Sequence, residues 1–203
     1  FTRNWLAQRG EGRLPVPFGA YDKAVLAGSA LALAWWVAVP DTAATGVALM
    51  LAAACHLVRL ARWAGDRTVR NPLLVILHVG YLFVPTGFAL TGLAGFGLVA
   101  PGAGLHAWTA GAFGTMTLAV MSRASLGHTG RPLVATSATQ ACYVLVVIGS
   151  IARICSALGH GPAMLLHVAG LSWSLAFLVF ALAYWQALTG GRIAPKAASV
   201  ARA

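Results

Sequence analysis

The sequence predicts an all-α fold: a polytopic membrane helical bundle of six transmembrane helices with both ends on the cytoplasmic side. Three observations predict it. The residues are 59% hydrophobic and 9% charged, against about 25% charged in an ordinary soluble domain. With a mean hydropathy of +0.79, so few charges cannot cover a water-facing surface. Six apolar stretches reach the roughly 20 residues that a helix needs to cross a hydrocarbon core about 30 Å thick. Outside those stretches, lysine and arginine occur only in the two ends and in alternate connections.

Residues 1–20 form a polar lead, expected on the cytoplasmic side, and residues 21–187 form the bundle. The spans are expected at about 21–39, 42–62, 72–93, 105–122, 133–157 and 162–187, followed by a cytoplasmic tail over 188–203. Helix-breaking pairs separate them at Pro40-Asp41, Asn71-Pro72, Pro101-Gly102, Gly130-Arg131-Pro132 and Gly161-Pro162. Pro85 falls inside the third span, where a kink is expected. Ala107, Gly111 and Gly114 make a small-residue row on the fourth span, which would let another helix approach closely and places that span centrally.

Arg3, Arg9, Arg13 and Lys23 precede the first span, and Arg59, Arg62, Arg67 and Arg70 lie at or beyond the end of the second. Arg123 and Arg131 separate the fourth from the fifth, and Arg192, Lys196 and Arg202 follow the sixth. The connections around Asp41, Gly97 and His160 carry no Lys or Arg, so the positive-inside bias places both ends in the cytoplasm. Trp35, Trp36 and Trp108 are expected at the outer interface, and Trp63, Tyr184 and Trp185 at the inner one. The net charge of +10 therefore reads as topology and not as a nucleic-acid-binding face. Cys55, Cys142 and Cys155 all lie in apolar spans and read as packing residues without a disulfide framework. The polar lead does not read as a signal peptide, and a first residue of Phe1 in place of Met suggests a preceding segment.

Ionisable side chains at membrane depth are costly and usually face a bundle interior, which makes them site candidates. His56 lies near the inner end of the second span and His78 near the inner start of the third, each about 9 Å deep at a rise of 1.5 Å per residue. The pair could meet on one level. His106, His167, His160 and Arg153 make a second level at the outer side, where Arg153 could pair with Asp41, a haem propionate or a helix end. Imidazole is a common haem ligand and also suits copper, so histidines on different helices suit a metal site; interhelical hydrogen bonding would satisfy them equally. Tyr81, one turn from His78, could orient its ring or simply pack. Arg59, Arg62, Arg123 and Arg131 could meet haem propionates or face anionic lipid. Met50, Met116, Met121 and Met164 are soft donors that more often fill cores.

The stretch Met121-Ser-Arg-Ala-Ser-Leu-Gly-His-Thr-Gly-Arg-Pro132, preceded by Gly114-Thr-Met-Thr-Leu-Ala-Val, resembles the signature of the NnrS family. Phe1-Thr-Arg-Asn4, Pro72-Leu-Leu-Val-Ile-Leu-His-Val-Gly-Tyr81 and Trp173-Ser-Leu-Ala-Phe177 agree with it in order and spacing. The resemblance implies a polytopic protein of the bacterial inner membrane, with this chain as its C-terminal half and a missing N-terminal half as its partner. It implies haem b and copper as cofactors, nitric oxide as a ligand, and a role in tolerance to nitrosative stress with no settled reaction. It carries His78, Arg123, His128 and Arg131 over as functional positions, and by region His56, His106 and His167. In the Gly127-His128-Thr129-Gly130 turn, Thr129 is expected to cap the helix that follows.

Two other classes remain in view. A membrane cytochrome b-like electron-transfer subunit would need paired histidines at two depths. A transporter would need a broken helix and a carboxylate near the midplane, and no Asp or Glu lies mid-membrane. The same lack of carboxylates disfavours a haem-copper oxidase.

Overall fold

The computed structural model describes residues 1–10, 12–159 and 161–191, so His160, Arg192, Lys196 and Arg202 lie outside the described residues. The described residues are helices joined by short connections, without a strand. In order these are α1 (Thr2–Gln8), α2 (Ala20–Ala38), α3 (Ala43–Ala61), a single 3₁₀ turn at Gly65–Thr68, α4 (Pro72–Gly95) and α5 (Gly102–His106). A π-helical segment (Ala107–Phe113), α6 (Gly114–His128), α7 (Ser137–Ala157) and α8 (Met164–Thr189) complete the chain. Each expected span coincides with a helix, the fourth with the continuous run α5–π–α6.

Four of these helices, α3, α4, α7 and α8, are long and apolar enough to cross a membrane as they stand. α2 has the length but carries Asp22 and Lys23 in its first turn, and α5–π–α6 is interrupted as an α-helix by its π segment. α1, within the polar lead, was not foreseen; Leu6 is its one buried side chain.

Local chemistry explains the element ends. Thr42 accepts the Thr45 amide at 3.3 Å and starts α3, while Asn71 accepts the Leu73 amide at 3.1 Å ahead of Pro72 in α4. The cap of α7 is Thr136, which accepts the Thr139 amide at 3.2 Å. That corrects the expectation for Thr129. α6 runs on through His128, and the Thr129 hydroxyl donates back to the Ser125 carbonyl at 2.5 Å, closing the helix it follows.

The bundle is built on two antiparallel pairs, α3 with α4 and α7 with α8, with α5–π–α6 packed between α4 and α7 and α2 lying against α3. The layering is that of a membrane protein. Leu31, Val37, Leu51, Phe113, Leu171 and Leu182 face outward, while Asp22, Ser29, Thr45, His56, Thr115, Ser122, Thr139 and Ser150 are buried. Apolar side chains outside and polar ones inside, all of those named but Thr115 hydrogen-bonded, invert the pattern of a soluble bundle. Tyr184 is buried, its hydroxyl bonded to Thr139 Oγ1 at 2.9 Å, and Trp185 is exposed. The cysteines are free, and only Cys142 is buried.

The small-residue row works as expected. A Cβ on Gly111 would stand 2.5 Å from Phe83 of α4, and one on Gly114 would stand 2.7 Å from the Trp173 indole of α8. The closest approach is at Gly104, where a Cβ would meet Thr91 Oγ1 at 2.1 Å and the Gly87 carbonyl at 2.8 Å. The Gly87 backbone cannot yield as a flexible side chain would. Gly104→Ala is therefore expected to destabilise the bundle by about 1–3 kcal/mol through overpacking, read as a lowered thermal midpoint in detergent, whereas Gly28→Ala, facing open space, should be neutral.

Candidate functional site

His78 sits half-buried on α4, about two turns beyond the Asn71 cap and Pro72. Its Nδ1 bonds the Leu74 carbonyl of its own helix at 2.9 Å. A carbonyl can only accept, so Nδ1 donates, and in the neutral ring the lone pair is then on Nε2. A neutral imidazole fixed by a backbone carbonyl on one nitrogen and open on the other has the arrangement of a metal-ligating histidine. Trp63 meets the ring edge-on, with centroids 6.4 Å apart, and Gly65 leaves room beside it, since a Cβ there would stand 2.5 Å from His78 Cδ2.

Two cavities flank the ring. One, of about 470 Å³, is walled by Phe1, Trp63, Leu77, Met116 and Val120 and roofed by Pro15, Val16 and Pro17. The other, of about 600 Å³, lies between Leu60, Gly65, Val75 and Leu82, with Arg13 and Asp66 at its mouth. Both volumes fall within the roughly 300–1,000 Å³ of small-molecule and cofactor sites. The N-terminal segment is tied across the first cavity by polar contacts: Arg3 donates to the Pro15 carbonyl at 3.1 Å, the Val16 amide to the Arg62 carbonyl at 3.0 Å, and Arg13 pairs with Asp66.

A third cavity of about 310 Å³ shares Phe1, Leu77 and Val120 with the first and adds Arg123, His128 and Leu133. The Arg123 guanidinium stacks on the Phe1 ring at 4.1 Å, yet its Nε is buried without a hydrogen-bond partner. Arg131 donates from Nη2 to the Gln186 carbonyl near the end of α8 at 3.0 Å, and its buried Nη1 is also unsatisfied. Buried cationic N–H groups without acceptors are costly, and an anionic group would satisfy them. His78 and Met116 thus line one cavity and Arg123 and His128 its neighbour, the two sharing the apolar wall of Phe1, Leu77 and Val120.

His56 behaves differently. It is 3% exposed, and both ring nitrogens are engaged, Nδ1 with the Tyr81 hydroxyl at 2.6 Å and Nε2 with Ser29 Oγ at 2.9 Å. Phe88 stacks on its face at 5.1 Å. Arg59 donates to the Tyr81 oxygen at 2.8 Å and to Asp22 Oδ1 at 2.9 Å, and the Gly19 amide donates to Asp22 Oδ2 at 3.0 Å. The phenol oxygen thus accepts from Arg59 while Tyr81 and Ser29 occupy the two ring nitrogens of His56, one hydroxyl donating and the other accepting in either neutral tautomer. The result is a five-membered chain, Asp22–Arg59–Tyr81–His56–Ser29, crossing α2, α3 and α4. Tyr81 therefore orients His56 and not His78. His56 and His78 do not meet; Trp63 and Tyr81, with ring centroids 4.4 Å apart, lie between them.

At the other end of the bundle, His106 and Arg153 line one cavity of about 250 Å³ with Trp173 and Ser174. His167 is exposed and does not line it. No three His, Cys, Asp or Glu side chains converge as a metal-ligand set among the described residues.

Sequence reasoning missed Asp22, Ser29 and Trp63. Asp22 and Lys23 looked like the edge of a span, and the signal available was the Gly19-x-x-Asp22 spacing of a helix start with a basic residue facing it from the next helix. It also set Met116 aside as core filler, although the fold places it beside His78.

No curated protein and no solved structure matches the chain. The family model described as NnrS protein matches residues 1–192, which is nearly its whole length. The chain belongs to the NnrS protein family.

Proposed function

We propose that this chain is a multi-pass protein of the bacterial inner membrane, crossing it six times with both ends cytoplasmic, that binds haem through His78 and responds to nitric oxide as part of tolerance to nitrosative stress. The observation that carries this reading is the state of His78: Nδ1 held by the Leu74 carbonyl, Nε2 free, and cavities on both sides. The residues present fit haem. His78 would supply the imidazole nitrogen that holds the iron, and the Met116 thioether lines the same cavity. Trp63, Leu77 and Val120 would cover the apolar faces of the ring, and the unsatisfied Nε of Arg123 and Nη1 of Arg131 would receive the propionates, with His128 beside Arg123.

Haem iron, when bound, supplies an open coordination position for a small diatomic ligand. What the chain itself does is hold the imidazole in one tautomer, exclude water with apolar walls, and admit an uncharged gas from the lipid through those same walls. Copper, which the family resemblance also implies, finds no donors here beyond the His78 and Met116 pair; soft thioether and imidazole ligands suit copper(I), and further donors would come from a preceding half of the protein. His56, with both nitrogens engaged, is assigned to the polar network that supports α4, which weakens the case for a cytochrome b-like pair of bis-histidine haems.

The test is haem content. Full-length protein carrying Arg123→Gln and Arg131→Gln together is expected to keep its fold and lose haem affinity about 10- to 100-fold, as for loss of supporting contacts around a metal group. Haem per protein equal to the wild type across a titration would remove the arginines from the site.

A further inference from the structure

The end of the bundle remote from Arg59, Arg62, Arg123 and Arg131 carries little charge, yet Arg153 stands there, four residues before the end of α7. It lines the 250 Å³ cavity with His106, Ala110, Gly149, Trp173 and Ser174. Neither Arg153 nor His106 makes a hydrogen bond or ion pair among the described residues, and His106 lies within reach of the Arg153 charge. The acceptor nearest the site is already used. The π segment turns the Ala110 carbonyl toward its neighbours, and it accepts both the Ser150 hydroxyl at 2.8 Å and the Trp173 indole N–H at 3.3 Å. Asp22 and Asp66 are paired with Arg59 and Arg13 elsewhere, and Asp41 does not line the cavity.

The cavity therefore offers donors and positive charge without a carboxylate. A metal cation would be repelled by the fixed guanidinium, and no group here neutralises it. An oxyanion would be attracted, with the planar fork of Arg153 able to hold two of its oxygens while His106 and Ser174 offer further donors. The walls beyond these groups, Leu166, Ala169 and Gly170, are apolar, and Leu166 and Gly170 are exposed, so the cavity reaches the apolar surface of the bundle along α8. We propose that this cavity is a binding site for a phosphate-type oxyanion, carried on the headgroup of an anionic phospholipid or free in solution. The inference stands apart from the reading of His78.

The experiment uses delipidated full-length protein in detergent. One arm adds dioleoylphosphatidylglycerol and counts bound lipid by native mass spectrometry. The other adds inorganic phosphate, with chloride at equal ionic strength as control, and follows the thermal midpoint. Binding in the first arm alone identifies a lipid headgroup, and binding in the second alone a free anion. In whichever arm responds, Arg153→Gln is expected to weaken binding at least about tenfold, the loss of a charge-assisted bidentate contact. Arg153→Lys keeps the charge without the fork and should bind two- to fivefold more weakly, roughly, which keeps the test open if the glutamine variant does not fold. No binding by the wild type in either arm, or binding by the Arg153 variants equal to the wild type, overturns the proposal.

Discussion

Replacing His78 with Ala is expected to lower the haem-to-protein ratio of purified full-length protein by more than about tenfold, with the polypeptide still folded. The expectation follows from what His78 does not do. Among the described residues its one side-chain hydrogen bond is to the Leu74 carbonyl, which is already engaged within α4, so the fold gains little from the ring. Truncation would enlarge the two cavities that already flank the ring and would not strand a buried partner. A ligand role and a packing role thus separate cleanly: loss of haem with an unchanged thermal midpoint identifies a ligand. Partial recovery of the haem band on adding imidazole to His78→Gly would strengthen that assignment. A drop in stability with haem retained would make His78 a structural residue.

The second large effect is on stability. Asp22→Ala should destabilise the protein by about 3–5 kcal/mol, because it leaves the Arg59 guanidinium buried with the Tyr81 oxygen as its one remaining side-chain acceptor. The side chains of Asp22 and Arg59 are 5% and 11% exposed, so water cannot take over the missing partner. Arg62, 3.9 Å from the same carboxylate, would add its repulsion once the anion is gone. Replacing the pair together, Asp22→Leu with Arg59→Met, should recover most of the loss, since a desolvated ion pair and a well-packed apolar pair differ little in net stability. Denaturant or thermal unfolding in detergent reads both variants. A cost below about 1 kcal/mol for Asp22→Ala would mean that the pair behaves as an exposed one.

Much of the fold was legible because hydrophobic length and Pro/Gly punctuation are local signals. The helix ends at Pro72, Ala157 and Ala38 fall within a residue or two of the expected spans. Thr129 and Thr136 were confused because both follow the rule for a capping residue, and only the continuation of α6 through His128 decides between them. The π segment was invisible: Ala107–Phe113 has ordinary helical composition, and its extra residue per turn is stabilised by Ser150 and Trp173, which come from α7 and α8. The site shows the same division. Depth along a helix could be counted, which put His56 and His78 on one level, but rotation about the helix axis could not. Tyr81 and Trp63 fill the space between the two histidines, so equal depth did not become contact.

The interhelical polar chain was likewise hidden, because Asp22, Arg59, Tyr81 and Ser29 are unremarkable one by one. Their meaning comes from the α2–α3–α4 packing that joins them.

The most direct measurement of the central claim is the optical spectrum of reduced full-length protein, expressed with ample haem and copper and recorded in detergent before and after addition of nitric oxide, for the wild type and His78→Ala. The account predicts haem bands in the wild type that shift on exposure to the gas, and neither bands nor shift in the variant. Wild-type protein without haem, or a variant whose haem spectrum and response to nitric oxide match the wild type, would contradict it.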